Sequence, residues 1–109
     1  MRDCTEGDAA TMLALAATLQ RSGFVARSRP FFSPCGVMAY VAEGVADGLT
    51  ILARSVFLHP CETGWEARVT WHGRNHWVKT VPDPAQLEAI ALNVLRGTDA
   101  PPEGWTQLD

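Results

Sequence analysis

The chain has few of the features that mark the large functional classes. Its 109 residues carry no excess of basic charge, since nine Lys and Arg stand against twelve Asp and Glu and the net charge is −3. A protein that binds duplex nucleic acid needs a basic face for the phosphates, so this balance argues against nucleic-acid binding. A glycine-rich phosphate loop and a Ser-His-Asp signature are also absent from the sequence.

Long apolar runs are missing as well. The best candidate is Ala9–Leu19, which is shorter than the roughly 20 residues that a membrane-spanning helix needs. Asp3, Glu6 and Asp8 precede this run, where a secretory signal would carry basic residues. We therefore interpret the run as a helix of a cytoplasmic protein and expect no membrane association.

Cysteine is scarce. The three cysteines, Cys4, Cys35 and Cys61, cannot all pair within one chain. A domain of this length buries roughly two-thirds of its unfolded surface, which is enough to fold without disulfides. Three free thiols in a reducing cytoplasm are therefore the simplest expectation.

The clearest pattern that is present lies between Trp65 and Gly97. Residues 65–71 alternate large apolar and polar side chains, which predicts a half-buried strand. A second strand is expected at 77–81, joined to the first by a three-residue loop at 73–75. The predicted cross-strand pairs are Trp71 with Trp77 and His72 with His76.

A longer hairpin is predicted upstream, with strands at about 37–45 and 49–59. Asp47-Gly48 favours a type I′ turn, which needs positive φ at both central residues. Both faces of this pair are largely apolar, which is typical of central strands covered on both sides. Phe24–Arg27 has the pattern of a short edge strand, but 24–32 as a whole is left open. The predicted pairs are Ala46 with Leu49, Tyr40 with Ser55, and Met38 with Phe57.

Two helices flank these strands. The first runs from Thr5 or Asp8 to Ser22 and ends at Gly23. It is apolar on most sides, so we expect it to be covered by more than one element or by another chain. The last helix is predicted to have Asp83 as its N-cap and Pro84 as its first residue, N1, and Gly97 ends it.

Together these elements predict an α+β domain. An antiparallel meander sheet of four to five strands would be flanked by an N-terminal and a C-terminal helix, in the order α-β-β-β-β-α. We expect residues 1–97 to form the single domain and residues 98–109 to form an extended C-terminal tail. The register across Cys61–Gly64 is not determined by the pattern.

The order of helix, strands and helix resembles the topology of the double-stranded-RNA-binding domain. That family places lysines at the start of its second helix, where they contact phosphates. The corresponding segment 83–88 reads Asp-Pro-Ala-Gln-Leu-Glu here and would repel phosphate. RNA binding is therefore not expected, and no family is assigned.

Two kinds of catalytic or metal chemistry were weighed. His59, Cys61, His72 and His76 are loosely like a zinc ligand set, but their spacing matches no established zinc framework, so they are weak candidates. A nucleophilic Cys35 or Cys61 would need an adjacent base, often at a helix N-terminus. Neither cysteine precedes a predicted helix. We therefore expect no cofactor and no enzymatic activity.

By elimination the sequence predicts a small non-enzymatic protein-binding module that occludes a partner protein. Inhibitors, immunity or antitoxin proteins, phage anti-defence factors and assembly adaptors belong to this class. The apolar first helix and the four tryptophans support it, because tryptophan is enriched in interface hot spots. The alternatives are a homodimer packed through the first helix and a metal- or thiol-dependent enzyme. The residues expected to contact a partner are Trp105, Leu13, Ala17, Arg27 and Arg29.

Overall fold

A computed structural model describes residues 4–28, 35–71, 75–97 and 104–108 of the chain. Within these ranges it has two α-helices and one antiparallel sheet of six strands, whose order in the sheet is their order in the chain. The elements are α1 (Glu6–Arg21), β1 (Val25–Ser28), β2 (Val37–Ala46), β3 (Leu49–Cys61), β4 (Gly64–Trp71), β5 (Asn75–Val81), α2 (Ala85–Arg96) and β6 (Thr106–Leu108). The predicted α+β class and meander are confirmed, with more strands than expected. No helix in the described ranges is long and apolar enough to cross a membrane.

The additional strand comes from the C-terminal tail. Residues 98–109 were expected to form an extended tail, but Thr106–Leu108 pairs with β5 and places Gln107 opposite Trp77. Three residues are too few to show a period-2 pattern, which is why the sequence did not indicate this strand. Residues 98–103 and 109 lie outside the described ranges.

Local hydrogen bonds define both ends of α1. The Asp8 N–H donates to Thr5 Oγ1 over 3.0 Å, and the Thr5 N–H donates to Asp8 Oδ2 over 3.1 Å. This reciprocal capping box settles the predicted start at Thr5. At the other end Gly23 has φ +93°, and the Phe24 N–H donates to Leu19 O. The helix thus ends in the predicted left-handed glycine motif.

The two helices pack side by side on one face of the sheet. α1 covers β1 and β2, while α2 covers the neighbouring β2, β3 and β4. The opposite face is covered by no described helix or strand, and Met38, Tyr40 and Phe57 are half-buried there. The prediction that β2 and β3 are covered on both sides is therefore wrong for the described elements. The buried core comprises Met12, Leu15, Ala16 and Leu19 of α1, Leu87, Ala91, Val94 and Leu95 of α2, and Ala26, Val37, Ala39, Val56, Leu58, Trp65, Ala67, Val69 and Val81 of the sheet.

The two predicted hairpin registers had different outcomes. All three pairs predicted between β2 and β3 are present, and Asp47 and Gly48 have φ of 53° and 77° as a type I′ turn requires. Between β4 and β5 the prediction is wrong by two residues, because Trp77 lies opposite Val69 and Trp71 opposite Asn75. A shift of two residues keeps every side chain on its face, so the alternating pattern could not exclude it.

The ends of α2 are held by side chains from outside the helix. Asp83 Oδ1 accepts from the Ala85 N–H over 2.9 Å, and the Asp83 N–H donates to Gln86 Oε1 over 3.4 Å. The structure places Pro84 at the N-cap and begins α2 at Ala85, so the predicted positions of Asp83 as cap and Pro84 as first residue are each wrong by one, although the Asp83 side chain accepts from a first-turn N–H. At its C-terminus, Arg54 of β3 donates from Nη2 to Leu95 O over 2.8 Å. A guanidinium there satisfies a terminal carbonyl and complements the helix dipole.

A disulfide joins Cys4 to Cys35. Their Cα atoms are 5.8 Å apart, a usual separation for bridged cysteines, and Cys35 is 2% exposed. The expectation of three free thiols is therefore wrong, since only Cys61 lies outside a disulfide. The partners are separated by 31 residues, so no local pattern indicates the pair. The bond ties the start of α1 to the start of β2.

Replacing Cys4 with Ser should lower the free energy of unfolding by about 2–4 kcal/mol, because the cross-link no longer restricts the unfolded chain. Urea unfolding with and without reductant measures this loss. The control Cys61→Ser should keep the sensitivity of the natural chain to reductant. Identical unfolding curves for the oxidised and reduced natural chain would contradict a stabilising disulfide.

Candidate protein-binding surface

The five residues predicted to contact a partner do not form one surface. Leu13 is 62% exposed on α1 and Ala17 is half-buried on the same helix. Arg27 is exposed on β1 and points to the sheet face opposite the helices, since its neighbour Ala26 is buried beneath them. Trp105 is half-buried against the core, and Arg29 lies outside the described residues.

The metal candidates are also dispersed. His59 lies opposite Glu66 on the β3–β4 pair, whereas His76 lies opposite Thr70 on the β4–β5 pair. His72 falls outside the described residues. Where the structure describes the chain, no group of three His, Cys, Asp or Glu side chains could hold a metal ion.

His59 is held as part of the sheet. The residue is 4% exposed, with Nδ1 3.0 Å from Pro60 O and Nε2 3.7 Å from Glu66 Oε2. Glu66 Oε1 in turn accepts from Arg68 Nε over 2.6 Å. Arg68 is 57% exposed, and an ion pair with such an exposed partner contributes little to stability. The cluster therefore reads as a satisfied structural contact between β3 and β4.

Among the residues whose side chains are described, the most exposed large apolar ones belong to the end of the β2–β3 hairpin. β1 pairs with β2 only as far as Tyr40, and β4 pairs with β3 only as far as Arg54. Beyond those positions β2 and β3 pair only with each other among the described strands. We call this projecting segment, residues 42–52, the hairpin arm.

Both faces of the hairpin arm carry an exposed apolar side chain. Val45 is 71% exposed and Leu49 is 72% exposed. Val45 lies opposite Thr50, and Ala46 lies opposite Leu49. Because successive residues of a strand point to opposite faces, Val45 and Leu49 lie on opposite sides of the arm.

The sequence accounts for the way the arm leaves the sheet. Its tip is the Asp47-Gly48 turn, whose positive φ values suit the twist of a two-residue hairpin loop. The strand pair has one register shift at the base of the arm, between Val41 and Ala42, and a second just inside it, between Ala42 and Gly44. Bulges of this kind increase the local twist and bend a strand pair. The arm therefore departs from the sheet where its neighbours end.

The outer edge of β3 within the arm lacks the usual protection against strand addition. Edge strands are commonly blocked by charges, prolines, bulges or short length. β1 has four residues and includes the exposed Arg27, and β6 has three residues. Residues 49–52 of β3 read Leu-Thr-Ile-Leu, with no charge or proline, and their pairing with β2 shifts once, between Ile51 and Leu52. Residues 49–52 therefore differ from the equally short β1 in carrying no charged residue.

No protein-family model, curated protein or solved structure matched the chain. The geometry of the surface is therefore the ground for any functional proposal.

Sequence reasoning placed the turn of the arm correctly but missed its exposure. The apolar residues on both faces of 37–59 were interpreted as strands covered on both sides. Coverage depends on the lengths of neighbouring strands, and β3 has 13 residues where β4 has eight. The signal that could have revealed the arm is this difference in strand length, because the part of β3 that extends past its neighbouring strands has no adjacent strand beside it.

A double variant of the arm, Val45→Thr with Leu49→Thr, should change the free energy of unfolding by less than about 0.5 kcal/mol. Both side chains are mostly in water, and threonine has the β-branched shape that strands favour. Leu58→Ala, at a fully buried position, should lose about 2–5 kcal/mol by comparison. Thermal unfolding compares the two. A loss as large as that of Leu58→Ala would mean that the arm packs on the body of the protein.

Proposed function

We propose that the protein is a non-enzymatic protein-binding module that uses its hairpin arm to occlude a partner protein. The observation that carries this proposal is the projecting arm, with Val45 and Leu49 more than two-thirds exposed on its opposite faces. An inhibitor, an immunity or antitoxin protein, a phage anti-defence factor or an assembly adaptor would all act in this way.

Strand addition is the recognition mode that this geometry favours. In that mode a partner segment extends a sheet, backbone hydrogen bonds provide affinity, and alternate side chains provide specificity. The arm offers an edge for the backbone and apolar side chains on both faces. Its tight turn is already formed in the unbound chain, which reduces the ordering cost of binding.

The cellular location and the role of Trp105 are separate proposals. A cytoplasmic protein is still the proposal, although the argument from three free thiols no longer supports it, since disulfides are rare in a reducing cytoplasm. Trp105 packs against the core, and this contact would hold the C-terminal tail on the domain. Its contribution to partner binding remains a separate prediction.

A homodimer through α1 is the second hypothesis. Leu13 is 62% exposed, with Ala10 and Ala14 also exposed on the same helix. Packing of these residues against a second copy would bury them without a foreign partner. This hypothesis uses a surface other than the arm, so variants separate the two.

Affinity capture from the host lysate should recover a stoichiometric partner with the natural chain and lose it with Val45→Thr/Leu49→Thr. Removing a central apolar anchor typically costs about 2 kcal/mol, or about 30-fold in affinity. The matched control is Val25→Thr, which changes an exposed apolar residue on β1 and should leave capture unchanged.

The reverse pattern would reject the arm as the binding surface. If Leu13→Gln abolished capture and the arm variant did not, the interface would lie on α1. A dimer mass in light scattering that falls to a monomer mass only with Leu13→Gln would favour the homodimer.

A further inference from the structure

We infer that α1 is a self-association surface, on which a second copy of the chain packs its own α1 in the opposite direction about a two-fold axis beside Leu13 and Ala14. This inference goes beyond the proposed function, because it uses no residue of the hairpin arm and makes the protein a dimer. It gives the homodimer hypothesis a specific geometry, which follows from the order of the side chains along α1.

The side of α1 that faces away from the sheet is apolar at its centre and charged at its ends. Its residues recur every three or four positions, so they lie together on the helix, opposite the buried stripe that packs on the sheet. Leu13, at the centre, is 62% exposed, and the others are exposed except the half-buried Ala17. We call this side the outer face of α1, which comprises Glu6, Ala10, Leu13, Ala14, Ala17 and Arg21.

The outer face of α1 is self-complementary when the second helix runs in the opposite direction. The midpoint of Glu6–Arg21 falls between Leu13 and Ala14. A two-fold axis at this point sets Leu13 against Ala14 of the second copy. The same axis sets Ala10 against Ala17, since a two-fold interface repeats each contact with the roles exchanged. The large side chain of Leu13 therefore faces small residues, as interdigitated packing requires.

The charges at the two ends of this face select the antiparallel direction. Glu6 lies in the first turn of α1 and Arg21 in the last, each about 11 Å along the axis from the midpoint at a rise of about 1.5 Å per residue. Arg21 donates from Nη2 to the neutral Thr18 hydroxyl over 3.1 Å, so the positive charge stays at the surface. In the antiparallel pair Glu6 of each copy meets Arg21 of the other, whereas a parallel pair would bring like charges together.

This symmetry identifies a second copy as the occupant. A helix from a foreign protein would impose no relation between the residues before the midpoint of α1 and those after it. In α1 the acid precedes the midpoint by as many residues as the base follows it, which is what a two-fold interface demands. The face of one helix is smaller than a standard interface of roughly 1,600 Å², so we expect a reversible dimer with a dissociation constant on the order of 100 μM.

Sedimentation velocity of the full disulfide-bonded chain tests the dimer. At low salt the sedimentation coefficient should rise with protein concentration up to about 1 mM, and amide signals of residues 10–21 should shift in parallel. Leu13→Gln should weaken dimerisation at least about 10-fold, because it places an amide at the centre of the interface. Val45→Thr/Leu49→Thr, which alters the hairpin arm, should leave dimerisation unchanged.

Exchange of the end charges tests the antiparallel geometry. Glu6→Arg and Arg21→Glu, each alone, should weaken dimerisation at least about 5-fold at low salt, because like charges then meet at both ends of the pair. An equimolar mixture of the two variants should dimerise as the natural chain does, since one copy then has two basic ends and the other two acidic ends. The matched control Glu88→Arg makes the same change in the first turn of α2 and should leave dimerisation unchanged.

Four outcomes would overturn the inference. They are a monomer at every concentration, association lost with the arm variant and kept with Leu13→Gln, a mixture that dimerises no better than either charge variant, and an equal loss with Glu88→Arg. None of them bears on capture of a partner by the hairpin arm, so the proposed function is tested separately. Conversely, failure of the arm variant to lose its cellular partner would leave the dimer through α1 in place.

Discussion

α2 packs its buried stripe, with Leu87, Ala91 and Val94, onto the middle strands of the sheet, and the rest of the structure depends on this one-sided burial. Leu87 and Val94 each contribute about 1.5–3 kcal/mol when their side chains leave water. The Arg54 contact with Leu95 O holds the end of α2 on β3. On the neighbouring strands, the Cys4–Cys35 disulfide holds the start of α1 in the same layer.

Because the two helices cover only the part of the sheet where β1–β4 pair, the long β2–β3 hairpin extends beyond the helix layer. A two-stranded hairpin alone is at best marginally stable in water, so the arm depends on its turn and on continuity with the body. Regions with few buried contacts open locally at low free-energy cost. Exposed apolar residues on such an element do little for the fold, and this is why we assign them to recognition.

The parts of the fold that follow local rules could be predicted from the sequence. The Thr5–Asp8 box, the left-handed Gly23 and the Asp47-Gly48 turn each depend on residues within a few positions of one another. The register of β4 on β5 could not be predicted, because a two-residue slip preserves the alternation of 65–71. The disulfide partners are too far apart in the chain for spacing to reveal them.

The candidate site was harder to predict because it is a property of unequal strand lengths. Sequence patterning identified Val45 and Leu49 as strand residues of a hairpin but could not show that both neighbouring strands end before reaching them. The exposure of Leu13 and Arg27 agrees with their selection as surface contacts, yet the fold places them on different layers. His59, a weak zinc candidate by sequence, instead contacts Pro60 O and Glu66.

Amide hydrogen exchange measured residue by residue tests the central claim most directly. In the unbound chain, amides of residues 49–52 should exchange at least roughly 100-fold faster than those of 56–58, because the arm opens locally and the body opens only with global unfolding. In the complex with a captured partner, exchange at 49–52 should slow markedly. Equal protection of the two segments in the unbound chain, with no change on binding, would contradict the account of the arm as a separate recognition element.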